Sequence, residues 1–402
     1  MPQPESVLSQ RVQTIKESPT LAVTARAARL KAEGRDIIGL GAGEPDFDTP
    51  QHIKDAAKKA IDSGFTKYTP VAGIAGLKKA VVAKFKRDND FDYSDKEVIV
   101  GVGGKQCIFN LALAVLNPGD EVIVPAPYWV SYADIAMVAG AKPVIIECGI
   151  EQEFKLLPAQ LEAAITPKTK LFMINSPSNP TGSVYTLAEL KALGEVLKRH
   201  PHVLVATDDM YEHVNLTGDK FYNILNATPE LKDRCIVLNG VSKAYSMTGW
   251  RIGYAAGPAY IIKAMEILQS QSTSNPTSIS QVAAQAALGG PQDCIKPMVE
   301  AFIERHEYVV NRFNQMPGLK CIKAGGAFYA FPDARAAIAN LYKAGKISEA
   351  NDMALSEYLL EQVGVAVVPG SAFGAEGYFR ISFATSMDNL KEALNRIEKA
   401  LS

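Results

Sequence analysis

The stretch Ser242-Lys243-Ala244-Tyr245-Ser246-Met247-Thr248-Gly249-Trp250-Arg251 follows an apolar run, Cys235-Ile236-Val237-Leu238, that reads as a buried strand. In open α/β sheets, ligands bind beyond the carboxyl ends of the strands, and Lys243 stands there. A lysine amine shielded from water loses its proton readily and can add to a carbonyl, forming a Schiff base. Arg251, eight residues on, is a permanent cation suited to a phosphate.

Working outward, short apolar runs bounded by Gly, Pro, Asp or Asn recur at residues 97–100, 121–125, 142–147, 171–175, 203–207, 235–238 and 252–256. Helical stretches at 51–63, 74–88, 106–116, 187–199 and 259–271 fall mostly between them. This alternation predicts an α/β fold whose large domain holds a seven-stranded, mostly parallel, doubly wound sheet. After about residue 295 the texture changes. A long helix at 297–315 leads to short strands at 321–322, 327–331, 365–368 and 378–383, which predicts a smaller α+β domain. The organisation expected is an N-terminal segment, 1–47, packing with the small domain through a helix at 23–33; a large domain, 48–295; and a small C-terminal domain, 296–402.

Composition narrows the function. Forty-two basic against 43 acidic residues leave a net charge of −1, so no charge excess points to nucleic acid or an anionic membrane. No apolar run approaches membrane-spanning length, and the N-terminus carries no apolar signal region. The five cysteines are scattered and odd in number, which argues against a disulfide framework and for a reducing cytoplasm. The histidines lack metal-ligand spacing, so no metal is expected.

Polar residues gather at the ends of the predicted strands. Asp208 follows 203–207, and Tyr211 lies three residues on. Asn179 sits in the turn Asn175-Ser176-Pro177-Ser178-Asn179-Pro180-Thr181-Gly182. Gly103-Gly104-Lys105 opens a helix, where backbone N–H groups suit a phosphate. Trp129 follows the strand at 121–125. A lysine for an aldehyde and an arginine for a phosphate suggest pyridoxal 5'-phosphate. Asp208 suits its pyridine nitrogen, Asn179 and Tyr211 its phenolic oxygen, and Trp129 the ring face. In Phe379-Arg380-Ile381-Ser382-Phe383, strand alternation turns Arg380 away from the apolar face, where a substrate carboxylate or an internal acid would pair with it. Nucleotide fingerprints fail: no glycine completes a dinucleotide motif after Gly101-Val102-Gly103, and Gln106 stands where a P-loop needs Ser or Thr.

These segments resemble the fold type I pyridoxal-phosphate enzymes, specifically the class I aminotransferases. The likeness rests on Gly41-Ala42-Gly43-Glu44-Pro45-Asp46-Phe47, Tyr68-Thr69-Pro70 with Gly73, Gly103-Gly104-Lys105, Asn179-Pro180-Thr181-Gly182, Asp208 to Tyr211, Ser242-Lys243 with Arg251, and Phe379-Arg380, which span nearly the whole chain in order. It implies that Lys243 is the Schiff-base lysine and Asp208 the pyridinium partner, with Asn179 and Tyr211 on the phenolic oxygen. It assigns Arg251, Ser242, Gly104 and Lys105 to the phosphate and Trp129 to the ring. Arg380 and Gly43 take the α-carboxylate, helped by Trp129 and Asn179. Tyr68 resembles a residue that reaches the neighbouring subunit's phosphate, so a homodimer with its site at the interface is implied. Arg11-Val12-Gln13 through Ser18-Pro19-Thr20 and Tyr128-Trp129-Val130-Ser131-Tyr132 resemble the bacterial-type aspartate aminotransferases. Some of that subgroup also take prephenate, and Lys16 is similar to a lysine that faces the distal carboxylate. The activity implied is transamination of aspartate with 2-oxoglutarate, with other amino acids and 2-oxo acids as the only partner class. The competing readings are an aromatic or alanine aminotransferase and a non-catalytic cofactor-binding module. If Lys16 serves the distal carboxylate, Lys16→Ala raises KM for dicarboxylic donors more than for monocarboxylic ones; equal losses in steady-state kinetics would remove it from recognition.

Overall fold

The computed structural model describes residues 7–15, 17 and 19–402. From a helix at Pro19–Ala32 and a short strand, β1 (Ile38–Gly39), the chain passes into seven strands of one sheet. They are β2 (Val98–Gly101), β3 (Glu121–Ala126), β4 (Lys142–Glu147), β5 (Thr169–Asn175), β6 (Leu204–Asp208), β7 (Cys235–Gly240) and β8 (Gly253–Ala256). Their order across the sheet is β2-β8-β7-β6-β5-β3-β4. All neighbours run parallel except β8, which is antiparallel to both β2 and β7.

The period-2 side-chain pattern builds a core on each face. Val98, Val100, Phe172, Ile174, Val205 and Val237 face helices Gln51–Asp62, Ala75–Lys84, Leu187–Arg199 and Ser278–Gly289. Ile99, Val122, Val124, Leu171, Met173, Ile236 and Leu238 face helices Gly103–Val115, Ser131–Val138 and Ala259–Ser270. Every residue of β2, β7 and β8 is buried, as expected of strands covered on both sides. β4 closes one edge and ends in the exposed Lys142 and Glu147, charges that discourage edge-to-edge pairing.

Beyond the helix Lys296–Phe313, the strands β9 (Tyr329–Ala330), β10 (Val365–Ala366), β11 (Val368–Pro369) and β12 (Phe379–Ser382) form smaller sheets. β11-β12-β9 is one antiparallel sheet, and β10 pairs in parallel with β1. The N-terminal segment also brings a strand, β1, which extends the C-terminal unit. Ala27, Leu30 and Ile37 pack on Leu360 and Ala366 beside it. The expected strand at 321–322 does not form. The Asn314 side chain takes both backbone groups of Cys321, donating to its carbonyl and accepting from its N–H at 2.9 Å each, so no ladder partner remains. The helix expected over 74–88 widens into a π-helical stretch at Phe85–Asn89. That turn lets Lys84 and Asn89 reach the same buried acid, Glu212. No described helix is long and apolar enough to cross a membrane.

Two glycines let β8 seat against the phosphate-type turn. A Cβ on Gly253 would collide with the Gly104 amide, and one on Gly103, at φ +79°, would collide with the Arg251 guanidinium. Gly253→Ala is therefore expected to destabilise the protein by about 1–3 kcal/mol through overpacking against rigid backbone. Urea denaturation measures this, and a neutral substitution would mean that the helix is not seated on β8.

Candidate active site

The carboxyl ends of β2, β3, β5, β6 and β7 open onto one crevice, at the switch in strand order between β3 and β5. Because β8 runs the other way, its beginning lies at the same edge, and Arg251 precedes it by two residues. The crevice holds a cavity of about 410 Å³. It is lined by Gly43, Gly104, Lys105, Trp129, Asn179, Asp208, Tyr211, Ser242, Lys243, Arg251 and Arg380, eleven of the residues singled out from sequence. Tyr68 is not among them: its side chain is 93% exposed on the surface of its own protomer. Lys16 lies outside the described residues.

Lys243 is half-buried and donates a hydrogen bond to the Gly43 carbonyl. Desolvation, then the Arg380 cation, pushes its amine down to about 8. At neutral pH a usable fraction of that amine is unprotonated, as nucleophilic or proton-transfer chemistry requires.

Asp208 ends β6 and Asp209, just past it, donates its N–H to the Leu238 carbonyl, so the two side chains face opposite ways. Asp208 lines the cavity; it accepts from the Tyr132 hydroxyl at 2.6 Å and from the Met210 N–H at 3.2 Å. Burial pushes its carboxyl up. Asp209 turns inward, accepting from Thr207 Oγ1 and Asn223 Nδ2 at 2.6 Å each. Burial raises it to about 7.

Arg380 is 2% exposed and has no acidic partner among the described residues. Its Nη1 donates to Asn179 Oδ1 at 2.8 Å and its Nη2 to the Gly41 carbonyl at 2.7 Å. Its Nε makes no hydrogen bond among the described residues. The guanidinium lies over the Tyr329 and Phe373 rings, 4.4 and 4.9 Å from their centroids. With Oδ1 engaged by Arg380, the Asn179 amide nitrogen is left as a donor for the cavity. The Asn179 backbone N–H donates to Asn175 Oδ1 at 2.9 Å, and Asn175 Nδ2 donates to the Asp208 carbonyl at 2.7 Å. The turn after β5 is thus tied to the end of β6.

At the other end of the cavity, Arg251 adopts a left-handed backbone, φ 57°, and donates to the Thr248 carbonyl at 2.9 Å. This strained conformation aims the guanidinium at the helix start at Gly103. The Lys105 ammonium lies 5.0 Å from the Trp129 ring centroid.

Among the lining residues not singled out from sequence are Tyr132, Tyr329, Glu44 and Asn175. Tyr132 bonds Asp208, and Tyr329 shares a 2.8 Å hydrogen bond with the Tyr211 hydroxyl. Glu44 accepts from Thr248 Oγ1 at 2.8 Å, and Asn175 braces the turn. Helical spacing from Trp129 carried a signal for Tyr132; Tyr329 comes from the distant β9 and had none.

Residues 35–397 match the family model described as aminotransferase class I and II. The aspartate/prephenate aminotransferase of Nitrosomonas europaea is 64% identical over 395 residues, covering 98% of this chain and 100% of that one. That of Cereibacter sphaeroides is 55% identical, covering 97% of this chain and 98% of that one. Among solved structures, the aspartate aminotransferase from Rhizobium meliloti superposes with a TM-score of 0.93 at 50% identity, covering 98% of both chains. The aspartate aminotransferase from Thermus thermophilus with maleate gives a TM-score of 0.91 at 42% identity, covering 98% of this chain and 99% of that one.

The inward acid carries a pH signature. Asp209 titrates near 7 when folded and near 4 when unfolded, so between those values the folded state holds more protons. Its contribution to stability therefore falls as pH rises through that window. Asp209→Asn is expected to flatten this fall, read as urea midpoints at pH 5 and pH 8; an unchanged slope would show that Asp209 is ionised throughout.

Proposed function

The chain belongs to the class I and II aminotransferases, and from that premise we propose that it moves the amino group of aspartate to 2-oxoglutarate, giving oxaloacetate and glutamate, and also aminates prephenate. The observation that carries the reading is the pairing, in one cavity, of a desolvated lysine amine with a buried arginine that has no acidic partner among the described residues. A nucleophile and a carboxylate receptor are the minimum that an amino acid needs. The names of the relatives and the maleate-bound neighbour, maleate being a dicarboxylate, support aspartate over aromatic or alanine donors.

The residues fit pyridoxal 5'-phosphate. A buried acid, a half-buried indole and two amide or phenol donors surround the middle of the cavity, and Arg251, Lys105 and the Gly104 amide stand at one end. When bound, the cofactor withdraws electrons from the substrate α-carbon and so acidifies its C–H bond. In this reading Asp208 holds a proton at the ring nitrogen, and Asn179 and Tyr211 donate to the phenolic oxygen. Arg251, Ser242, Lys105 and the Gly104 N–H hold the phosphate. Arg380 and the Gly43 segment clamp the α-carboxylate, Arg380 with its unpartnered Nε edge. Lys243 Nζ takes the proton from the substrate α-carbon and would hand it on to the cofactor's C4′ carbon, a transfer that typically contributes about 10²- to 10⁴-fold. Its pKa near 8 suits a base that must be unprotonated near neutral pH. The exposed Tyr68, with Phe65 and Ile61 also exposed close by in sequence, supports a homodimer in which Tyr68 reaches the partner's phosphate. The absence of a described membrane-spanning helix and the five free cysteines support a cytoplasmic enzyme.

Lys243→Ala is expected to abolish transamination of all donors while leaving fold and assembly intact. Asp208→Ala should cost far more turnover than Asp209→Ala. Initial rates with aspartate, glutamate and prephenate test the substrate assignment: near-normal turnover by Lys243→Ala, or no aspartate activity in the wild type, would overturn it.

A further inference from the structure

Tyr132 was not singled out from sequence, yet it makes the shortest polar contact to the cavity acid. Its hydroxyl donates to Asp208 Oδ2 at 2.6 Å, well inside the range of a charge-assisted O–H···O⁻ bond. The side chain is 4% exposed and otherwise packed among apolar residues, including Leu171, Met173 and Ile108. Its ring stands edge-on to the Trp129 indole, with centroids 5.4 Å apart and planes at 86°. One residue therefore touches both the acid and the aromatic wall between which a flat ring would lie. From this geometry we infer that Tyr132 is a positioning residue, whose hydroxyl holds the Asp208 carboxylate as the anionic partner of the cofactor ring while its own ring seats Trp129. The inference rests on the pyridoxal-phosphate reading of the cavity.

Asp208 needs such a donor. Burial pushes its carboxyl toward the neutral form, and a neutral acid pairs poorly with a protonated ring. Among the described residues two donors oppose that drift: the Met210 N–H, at a longer 3.2 Å, and Tyr132. Burial and the adjacent acid hold the Tyr132 phenol far above its usual range, so it remains a donor at any working pH. The charged and titratable groups around this pair are Lys243, Tyr211, Cys107 and Asp209. Lys243 itself is faced by Arg380, Glu44, Arg251 and Asp208. None of them reaches Asp208 with a hydrogen bond.

The sign of the effect follows. Without the hydroxyl, the proton at the ring nitrogen passes more readily to the buried acid. The ring then draws electrons less strongly, and the nitrogen at Lys243 becomes more basic. A hydrogen bond to a charged group is worth about tenfold or more in an equilibrium constant. The pH midpoint of the cofactor's visible absorption should therefore rise by roughly one unit.

The test is a spectroscopic pH titration of protein loaded with pyridoxal 5'-phosphate, for wild type, Tyr132→Phe, Asp208→Asn and the double variant. Tyr132→Phe should move the midpoint up by about one unit, and the same change made on Asp208→Asn should move it no further. An unchanged midpoint, or an equal shift on both backgrounds, overturns the inference, because the hydroxyl would then act by packing alone. If thermal unfolding shows that Tyr132→Phe does not fold, Tyr132→3-fluorotyrosine keeps the shape and strengthens the donor. Its midpoint should fall, and an unmoved one overturns the inference. A wild type that takes up no cofactor sinks the reading of the cavity itself, an outcome distinct from a loaded wild type with unresponsive variants.

Discussion

A guanidinium buried without an acid is the constraint around which the C-terminal part of this fold is arranged. Among the described residues Arg380 meets only neutral acceptors and ring faces, although removing a lone ion from water costs several kcal/mol. A protein tolerates such a group where an anion arrives from outside. Holding it takes three stretches far apart in sequence: the carbonyl of Gly41, the Asn179 side chain after β5, and β12 itself. The β1–β10 pair and the β9–β12–β11 sheet keep those stretches in register, since Ser382 N–H donates to the Leu40 carbonyl at 2.7 Å. The small sheets thus serve as a mount that carries one cation to the edge of the large one.

The molecule contains a second buried set of charges, and the contrast explains why only one is a site. Lys84 is fully buried and pairs with Glu212, to which Asn89 and Asn239 also donate. Asp88 and His213 complete that cluster, whose three acidic and imidazole ligand atoms lie close enough to hold a metal. The Lys84 ammonium pairs with Glu212 and the Arg87 guanidinium with Asp88, so the cluster is closed on itself. It fastens the loop after β6 from below, next to Tyr211. In the cavity above, Lys243, Arg251 and Arg380 outnumber the single buried acid, Asp208. Their mutual repulsion and desolvation depress the Lys243 amine, and an incoming phosphate and carboxylate would relieve both. Chemistry is placed where charge is left unbalanced.

Much of this was legible because it depends on local pattern. The seven strands were readable as bounded apolar runs, and the cavity residues as polar groups at their ends. Asp208 and Asp209 have opposite partners, one in the cavity wall and one in the interior. What escaped notice depends on distant contacts. Asn314 captures the backbone of Cys321 and erases a strand that its apolar residues suggest. Tyr329 reaches Tyr211 across 118 positions. Tyr132 had only its spacing from Trp129 to mark it, because the helix Ser131–Val138 that carries it is short and apolar on most sides.

The direction of β8 was equally hidden, and it matters most for the site. Strands β7 and β8 are neighbours, joined by the residues that include Lys243 and Arg251. A parallel β8 would have to start at the opposite edge of the sheet, displaced by the length of a four-residue strand, roughly 13 Å. Lysine and arginine would then face different solvent. Running antiparallel, β8 begins where β7 ends, and the eight-residue separation collapses into one crevice. β8 is buried on both faces, one of them against the helix that starts at Gly103, and close approach there is open only to glycine at 253 and 103. The glycines that look like a weak phosphate fingerprint in the sequence therefore have a second duty, as the clearance that lets an inverted strand deliver Arg251 beside Lys243.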